Sequence, residues 1–159
     1  MKYQTTKITS LGYRTILKMS LTASRKTSLG SLGQAKLKLF CPICLQEIQR
    51  PPHNMDMHEA LLSKGMAAKT SIPYEILNSP YNCVLLHHSC HVPGTGGDEF
   101  QEKAVFQIIE FEGEAKIRKW IEEVKRNSIY AGEVVERNFE IILRKYKRKE
   151  RLAQSYAEW

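Results

Sequence analysis

This sequence of 159 residues contains no apolar run close to the roughly 20 residues that span a bilayer, which excludes a transmembrane helix. It has only four cysteines, too few for a disulfide framework, so we expect a reducing compartment. The first residues lack the apolar stretch of a secretory signal, and we therefore expect a cytoplasmic protein. Hydrophobic residues make up 42% and charged residues 26%, which is ordinary for a globular domain.

Acidic residues are also unevenly placed, because none occurs before Glu47. The first 46 residues hold eight lysines and arginines, whereas sixteen basic and seventeen acidic residues follow, so the formal net charge of +7 originates in this segment. A segment with one sign of charge suits a polyanion, most plausibly nucleic acid. The alternative is a solvated basic tail without a binding role.

Composition divides the chain into three segments. Residues 1–35 are rich in Ser, Thr, Lys and Gly, which predicts a basic N-terminal arm that is extended apart from a short helix at 13–21. Residues 36–105 contain all four cysteines and all five histidines, which predicts a compact core organised by a metal ion. Residues 106–159 are predicted to form a helical C-terminal extension. The predicted fold class is α+β.

Hydrophobic periodicity predicts the elements within these segments. Alternation at residues 36–40 and 54–61 predicts strands, whereas Gly and Pro between 63 and 80 predict an excursion on the surface. Amphipathic helices are predicted by a period near 3.6 in three stretches, residues 100–111, 114–126 and 133–156. Their apolar faces are expected to pack on the core or on another chain, and the basic run at 144–149 to contact phosphates.

Four residues form two half-sites for a metal ion. Cys41 and Cys44 enclose a CxxC turn, and His87 and Cys90 repeat the same spacing with 42 residues between the two pairs. Three thiolates and one imidazole suit tetrahedral Zn²⁺, so we predict a structural zinc centre. The alternatives are reduced cysteines packed as small hydrophobic residues, or a redox CxxC, which lacks the βαβ pattern expected around it. Cys83 lies outside the spacing and is predicted to be a buried small residue.

The residues around these half-sites follow the order of a known nuclease motif. The chain has CxxC at 41–44, then Asp-Met-His-Glu at 56–59, then Asn82, and finally His-His-Ser-Cys-His at 87–91. This order and spacing resemble the HNH endonucleases of the ββα-metal superfamily, in particular phage-encoded members that include homing endonucleases. The resemblance covers residues 38–105. It implies a zinc-stabilised ββα-metal core, DNA as the substrate and, for a phage protein, the host cytoplasm as its location.

The resemblance also implies a mechanism, which is metal-assisted hydrolysis of DNA phosphodiester bonds by nicking or cutting. A base takes a proton from water, which attacks phosphorus, while one divalent ion, Mg²⁺ or Mn²⁺, stabilises the phosphate and the leaving oxygen. His91 is implied to ligate this ion from the start of a helix. Asn82 is implied either to orient the connecting loop and the base or to join the metal shell.

The chain departs from the family pattern at two places. His87 stands where the family usually has Cys, which is tolerable because imidazole is a normal zinc ligand. The family also places a metal ligand directly before the His base, and here two registers are open. Either His58 is the base and Asp56 is a displaced ligand, or His58 is the ligand and Glu59 is the base. Strand alternation puts Asp56 and His58 on one face, so we favour His58 as the base.

Two other functions stay open at this point. One is a zinc-stabilised DNA-binding or adaptor module without cleavage activity. The other is a zinc-containing RNA-binding protein, which would leave Asn82 and His91 without a role. His53 and His88 are interpreted as non-catalytic. DNA is the expected partner, no membrane association is expected, and the C-terminal helices are a candidate surface for self-association or a protein partner.

Overall fold

The computed structural model describes residues 10–25, 27–28, 37–49, 54–92 and 97–157. These residues are mostly helical, with two antiparallel sheets of two strands each, so the predicted α+β class is confirmed. Their elements follow the order α1 (Ser10–Ser24), β1 (Thr27–Ser28), β2 (Leu37–Lys38), β3 (Met55–Glu59), α2 (Lys64–Lys69), α3 (Tyr74–Leu77), β4 (Cys83–His87), α4 (His88–His91), α5 (Asp98–Glu112), α6 (Glu114–Asn127) and α7 (Ile129–Ala157). None of the helices in the described ranges combines the length and apolar character needed to cross a membrane.

The antiparallel pair of β3 and β4 positions most of the predicted site residues. Its register runs from Met55 opposite His87 to Glu59 opposite Cys83. The consecutive residues 84–86 of β4 are fully buried, so both faces of this strand are covered, and α1 and α5 both pack on it. The strand predicted at 54–61 is confirmed over its central five residues.

Helix α1 belongs to the hydrophobic core. Leu17 and Leu21 are only 7% and 1% exposed, and their spacing of four places them on the same side of the helix. The helix predicted at 13–21 is therefore confirmed and longer than expected. Within the predicted arm of residues 1–35, α1 buries one face through Leu17 and Leu21. Residues 1–9, 26 and 29–35 of the predicted arm lie outside the described residues.

Arg25 ends this helix in the interior of the protein and is 1% exposed. Its guanidinium donates to the carbonyl oxygens of Cys83 at 2.6 Å and Pro80 at 2.7 Å. It also forms an ion pair with Glu112 at 3.5 Å. Burial lowers the pKa of Arg25, and the nearby Glu112 carboxylate opposes that shift. Arg25 therefore stabilises the interior of the protein and does not contribute to a surface that could bind a polyanion.

The segment predicted to be a surface excursion, residues 63–80, instead contributes to the core. Helix α2 begins after Ser63, whose hydroxyl accepts from the Met66 amide at 3.2 Å. In α3, Ile76 and Leu77 are buried, and the Ile76 carbonyl accepts a hydrogen bond from the Trp120 indole at 3.0 Å. The prediction failed because Gly65 lies within the first turn of α2 and Pro73 is the N-cap of α3, so neither residue marks an open loop.

The three C-terminal helices are confirmed and pack on the rest of the chain. Gly113, with φ of 82°, separates α5 from α6, and Ser128 alone separates α6 from α7. The turn is tight because Gly132 lies against Lys125, where an added Cβ would come within 2.7 Å of the Lys125 Cα. The apolar faces thus bury against one another, as in Val124 and Phe139, which are both fully buried.

Candidate metal centre and histidine site

The first half of the predicted metal centre is a tight turn closed by backbone hydrogen bonds. Phe40 and Glu47 form a bridge, the Cys41 amide donates to the Gln46 carbonyl at 3.0 Å, and the Leu45 amide donates back to the Cys41 carbonyl at 2.9 Å. Leu45 adopts a positive φ of 61°, which reverses the chain after Cys44. The turn thereby brings the Cys41 and Cys44 side chains to the same side.

The second half of the centre lies at the junction of β4 and α4. His87 is the last residue of the strand, and Cys90 lies in the single helical turn that follows. The sulfur and nitrogen atoms of Cys41, Cys44, His87 and Cys90 all lie within 4.8 Å of one another. Tetrahedral Zn²⁺ needs ligand atoms roughly 3.4–3.8 Å apart, and the Cys44 Sγ to His87 Nδ1 distance is 3.3 Å. The four predicted ligands can therefore hold one metal ion, as expected for structural zinc.

The thiols of this centre also need a cation for electrostatic reasons. Burial opposes ionisation of Cys44, but hydrogen bonds from the Gln46 amide and from His87 outweigh it and lower the Cys44 pKa to about 7. Burial and the neighbouring thiols of Cys44 and Cys41 raise the pKa of Cys90 to about 12. The neighbouring sulfurs thus oppose ionisation of Cys90 when no positive charge lies between them. A dication supplies that charge, and this fits the donor set.

Cys83 stands apart from the metal centre, as predicted. It is fully buried, and its thiol donates to the Leu77 carbonyl at 3.7 Å. Burial raises the Cys83 pKa to about 12. The thiol therefore stays protonated and serves as a small core residue.

A cluster of histidines surrounds Asp56 next to the metal centre. The Asp56 Oδ2 accepts hydrogen bonds from His91 Nδ1 at 2.9 Å and from His88 Nδ1 at 2.8 Å. Burial alone would raise the pKa of Asp56, but the hydrogen bonds from His91 and His88 outweigh this effect and hold it below its usual value. Asp56 is therefore a carboxylate at neutral pH. His88, interpreted from the sequence as non-catalytic, belongs to this network.

His58 lies on the same face of β3 as Asp56 and is 8% exposed. Its ring packs edge-on against Phe100, with centroids 5.0 Å apart, and against His91 at 5.4 Å. Its Nε2 lies 3.3 Å from the Gln101 Oε1. Burial lowers the pKa of His58, the hydrogen bond to Gln101 partly offsets that shift, and the charge of His91 lowers the pKa further. The imidazole is therefore neutral at neutral pH.

Glu59 lies on the other face of the strand, away from the histidines. Its Oε1 forms an ion pair with Arg14 of α1 at 3.2 Å. Strand alternation explains the separation, because no bulge interrupts the ladder from Met55 to Glu59. The structure thus brings Asp56, His58 and His91 together and leaves Glu59 outside the cluster.

Asn82 is fully buried and holds the loop that follows β3. Its Oδ1 accepts from the Leu61 amide at 2.9 Å and the Leu62 amide at 2.7 Å. Its Nδ2 donates to the Leu62 carbonyl at 2.9 Å and the Leu77 carbonyl at 2.8 Å. These four bonds occupy the amide, so the geometry matches the loop-orienting role and not membership of a metal shell.

An open groove of about 380 Å³ runs beside the histidine cluster. Its walls are formed by Arg14, Thr15, Lys18, Asp56, Met57 and His91. A larger cavity of about 440 Å³ lies elsewhere, between the loop after β3 and helices α5 and α7, and carboxylates of Glu59, Asp98 and Glu102 line it. These three carboxylates outnumber the one lysine of the lining, Lys145, which disfavours a polyanion, so the smaller groove is the better candidate for a phosphate backbone.

Sequence reasoning did not identify Arg14, Lys18 or Gln101 as parts of this region. Arg14 and Lys18 were marked only as members of the basic segment, and no local signal places any of the three beside the histidines, because each lies on a helix distant in sequence from β3. The basic run at 144–149 is partly neutralised, since Lys145 pairs with Glu102 and Lys147 pairs with Glu114 at 2.7 Å. His53 lies outside the described residues.

Comparison with known proteins identifies no relative of this chain. No family model, no curated protein and no solved structure matches it at a significant level.

Proposed function

We propose that this protein is a metal-dependent endonuclease of the HNH type, which hydrolyses phosphodiester bonds of DNA. The observation that supports the proposal is the grouping of Asp56, His58 and His91 directly beside the Cys₃His centre. Asp56 and His58 lie on β3 and His91 lies on α4, which is the order of strand and helix that the resemblance implies. A structural role for the metal centre alone leaves this second group of polar side chains without a function.

His58 is the proposed general base. It takes a proton from the attacking water at an imidazole nitrogen, which requires the neutral form, and burial keeps its pKa below the usual value. Gln101 and Phe100 hold the ring in place through the 3.3 Å contact and the edge-on packing. Glu59 is the less suitable base because its carboxylate faces Arg14 on the other side of β3.

Asp56 and His91 are the proposed ligands of a divalent ion, Mg²⁺ or Mn²⁺. Asp56 Oδ2 and His91 Nδ1 are hydrogen-bonded at 2.9 Å, so a divalent ion held by both would take the place of the proton between them. A bound ion would stabilise negative charge on the phosphate and on the leaving oxygen. The Asp56 carboxylate, which is ionised at neutral pH, supplies the anionic ligand.

The Cys₃His centre has a positioning role in this proposal. Its ligands His87 and Cys90 enclose His88, and His91 follows Cys90 directly. His87 and Cys90 would hold a zinc ion at the start of α4, and that anchoring would fix the position of the adjacent His91. Asn82 does the same for the chain after β3 through its bonds to Leu61 and Leu62.

Nicking of supercoiled plasmid with Mg²⁺, with Mn²⁺ and without added divalent ion tests the proposal. The wild-type protein should nick only with a divalent ion, and His58→Ala and His91→Ala should each lose that activity while zinc content and melting temperature stay unchanged. His53→Ala is the matched histidine control and should remain active. Full activity in His58→Ala would refute the assignment of this site.

One observation favours a second function, a zinc-stabilised DNA-binding or adaptor module without cleavage. His58 is only 8% exposed, which restricts the approach of an attacking water. If the protein is such a module, the zinc-loaded wild-type protein should bind DNA but leave the plasmid intact with every divalent ion.

A further inference from the structure

The groove beside the histidine cluster has one cationic wall and one wall with metal-ligand chemistry. Arg14 and Lys18 of α1 form the first, and Asp56 and His91 form the second. The two cations are four residues apart, so they project from the same side of α1 in successive turns. A groove of this kind places a phosphate-binding surface directly next to the proposed reaction centre.

Both cations keep donors for a ligand. Lys18 Nζ donates to the Met55 carbonyl at 2.6 Å, and an ammonium has two further donors. Arg14 lies 3.2 Å from Glu59 Oε1, but that oxygen receives no directional hydrogen bond, so the contact is an ion pair. Only one Nη of the Arg14 guanidinium faces Glu59, so the N–H donors on its other nitrogens can be directed at a phosphate group.

The basic residues elsewhere are less suitable for this task. Arg25 is buried, and its guanidinium donates to two backbone carbonyls, whereas Lys145 lines the cavity that also holds Glu59, Asp98 and Glu102. Among the described residues that line the groove, Arg14 and Lys18 are the only lysine and arginine. Both belong to the segment without acidic residues.

We infer that α1 is part of the substrate site and that Arg14 and Lys18 bind backbone phosphates of the DNA strand flanking the phosphate cleaved at Asp56 and His91. The inference rests on the proposed function for its account of cleavage, but its DNA contact can be tested without cleavage.

The test measures binding of the full chain to a short fluorescent DNA duplex as a function of salt, without added divalent ion. Each lost phosphate contact lowers the slope of log K against log salt by about 0.9, so Arg14→Gln/Lys18→Gln should reduce it by about 1.8. Between about 50 and 200 mM salt, the wild-type protein should then lose roughly tenfold more affinity than the variant. The matched control is Lys116→Gln/Arg126→Gln on α6, where both side chains are exposed, and it should behave as the wild type.

A second variant, Arg14→Gln/Glu59→Gln, removes the ion pair as a whole and leaves no buried carboxylate without its partner. It should lower the slope by about 0.9, and Glu59→Gln alone should bind DNA at least as tightly as the wild type. Equal slopes for the α1 variants and the α6 control, at unchanged zinc content, would overturn the inference. A wild-type protein that never nicks, with the slope change present, would refute the nuclease proposal and leave the DNA contact of α1 standing.

Discussion

Removal of the metal ion from the Cys₃His centre should disorganise the half of the protein that holds the histidines. The pair of β3 and β4 has five residues in each strand, and an isolated two-stranded sheet of this size is marginal in water. The metal would join the turn at 41–48 to the end of β4. Cys44→Ser/Cys41→Ser removes two ligands and tests this joint directly.

The expected loss is large compared with the stability of the protein. Structural zinc contributes on the order of 10 kcal/mol or more in small zinc-binding peptides, whereas whole domains unfold with roughly 5–15 kcal/mol. The helices α5, α6 and α7 bury their own apolar residues, among them Trp120, Val124 and Phe139. We therefore expect the metal-free protein to keep much of its helical signal and to lose the β3–β4 region with His58 and His91.

Zinc content by mass spectrometry, thermal melting by circular dichroism and plasmid nicking together check this prediction. The wild-type protein should contain one zinc per chain, and the double serine variant should contain none, melt at a lower temperature and lose its activity. Cys83→Ala is the matched cysteine control, because Cys83 is buried but does not belong to the centre, and it should retain zinc. A purified protein without zinc, or a double variant with unchanged melting, would contradict the reasoning.

Three further predictions concern the histidine site and Arg25. Excess Mn²⁺ should partly restore nicking by His91→Ala, which has lost a metal ligand, but not by His58→Ala, which has lost a base worth roughly 10²–10⁴ in rate; the opposite pattern would exchange the two roles. The nicking rate should rise with pH to a plateau with a midpoint below 6.5, because burial lowers the pKa of His58 and the neutral imidazole is the active form. A midpoint well above 6.5 in a pH–rate profile would exclude this base. Arg25→Met should lower the free energy of unfolding by about 3–5 kcal/mol in urea titrations, because it leaves the Glu112 carboxylate without its partner. The same variant should not change the salt dependence of DNA binding, whereas loss of a DNA-binding surface cation would change it.

Local sequence patterns were sufficient to predict the four candidate metal ligands and most of the secondary structure. The ligands Cys41, Cys44, His87 and Cys90 could be predicted because each pair is three residues apart, and a tight turn or one helical turn converts that spacing into proximity. The C-terminal helices could be predicted because their apolar residues recur every 3.6 positions. Burial of Cys83 followed from its position outside the ligand spacing.

Tertiary structure alone determined the burial and the partners of several polar residues. Arg25 is separated from Glu112 by 87 positions, and nothing in its neighbourhood distinguishes a buried cation from a surface one. Glu59 forms an ion pair because α1 places Arg14 opposite the face of β3 on which Glu59 lies. Asn82 became a loop anchor because residues 61, 62 and 77 converge on its amide. Charge, burial and hydrogen bonding depend on partners brought together by packing, whereas spacing and periodicity depend only on the backbone geometry of neighbouring residues.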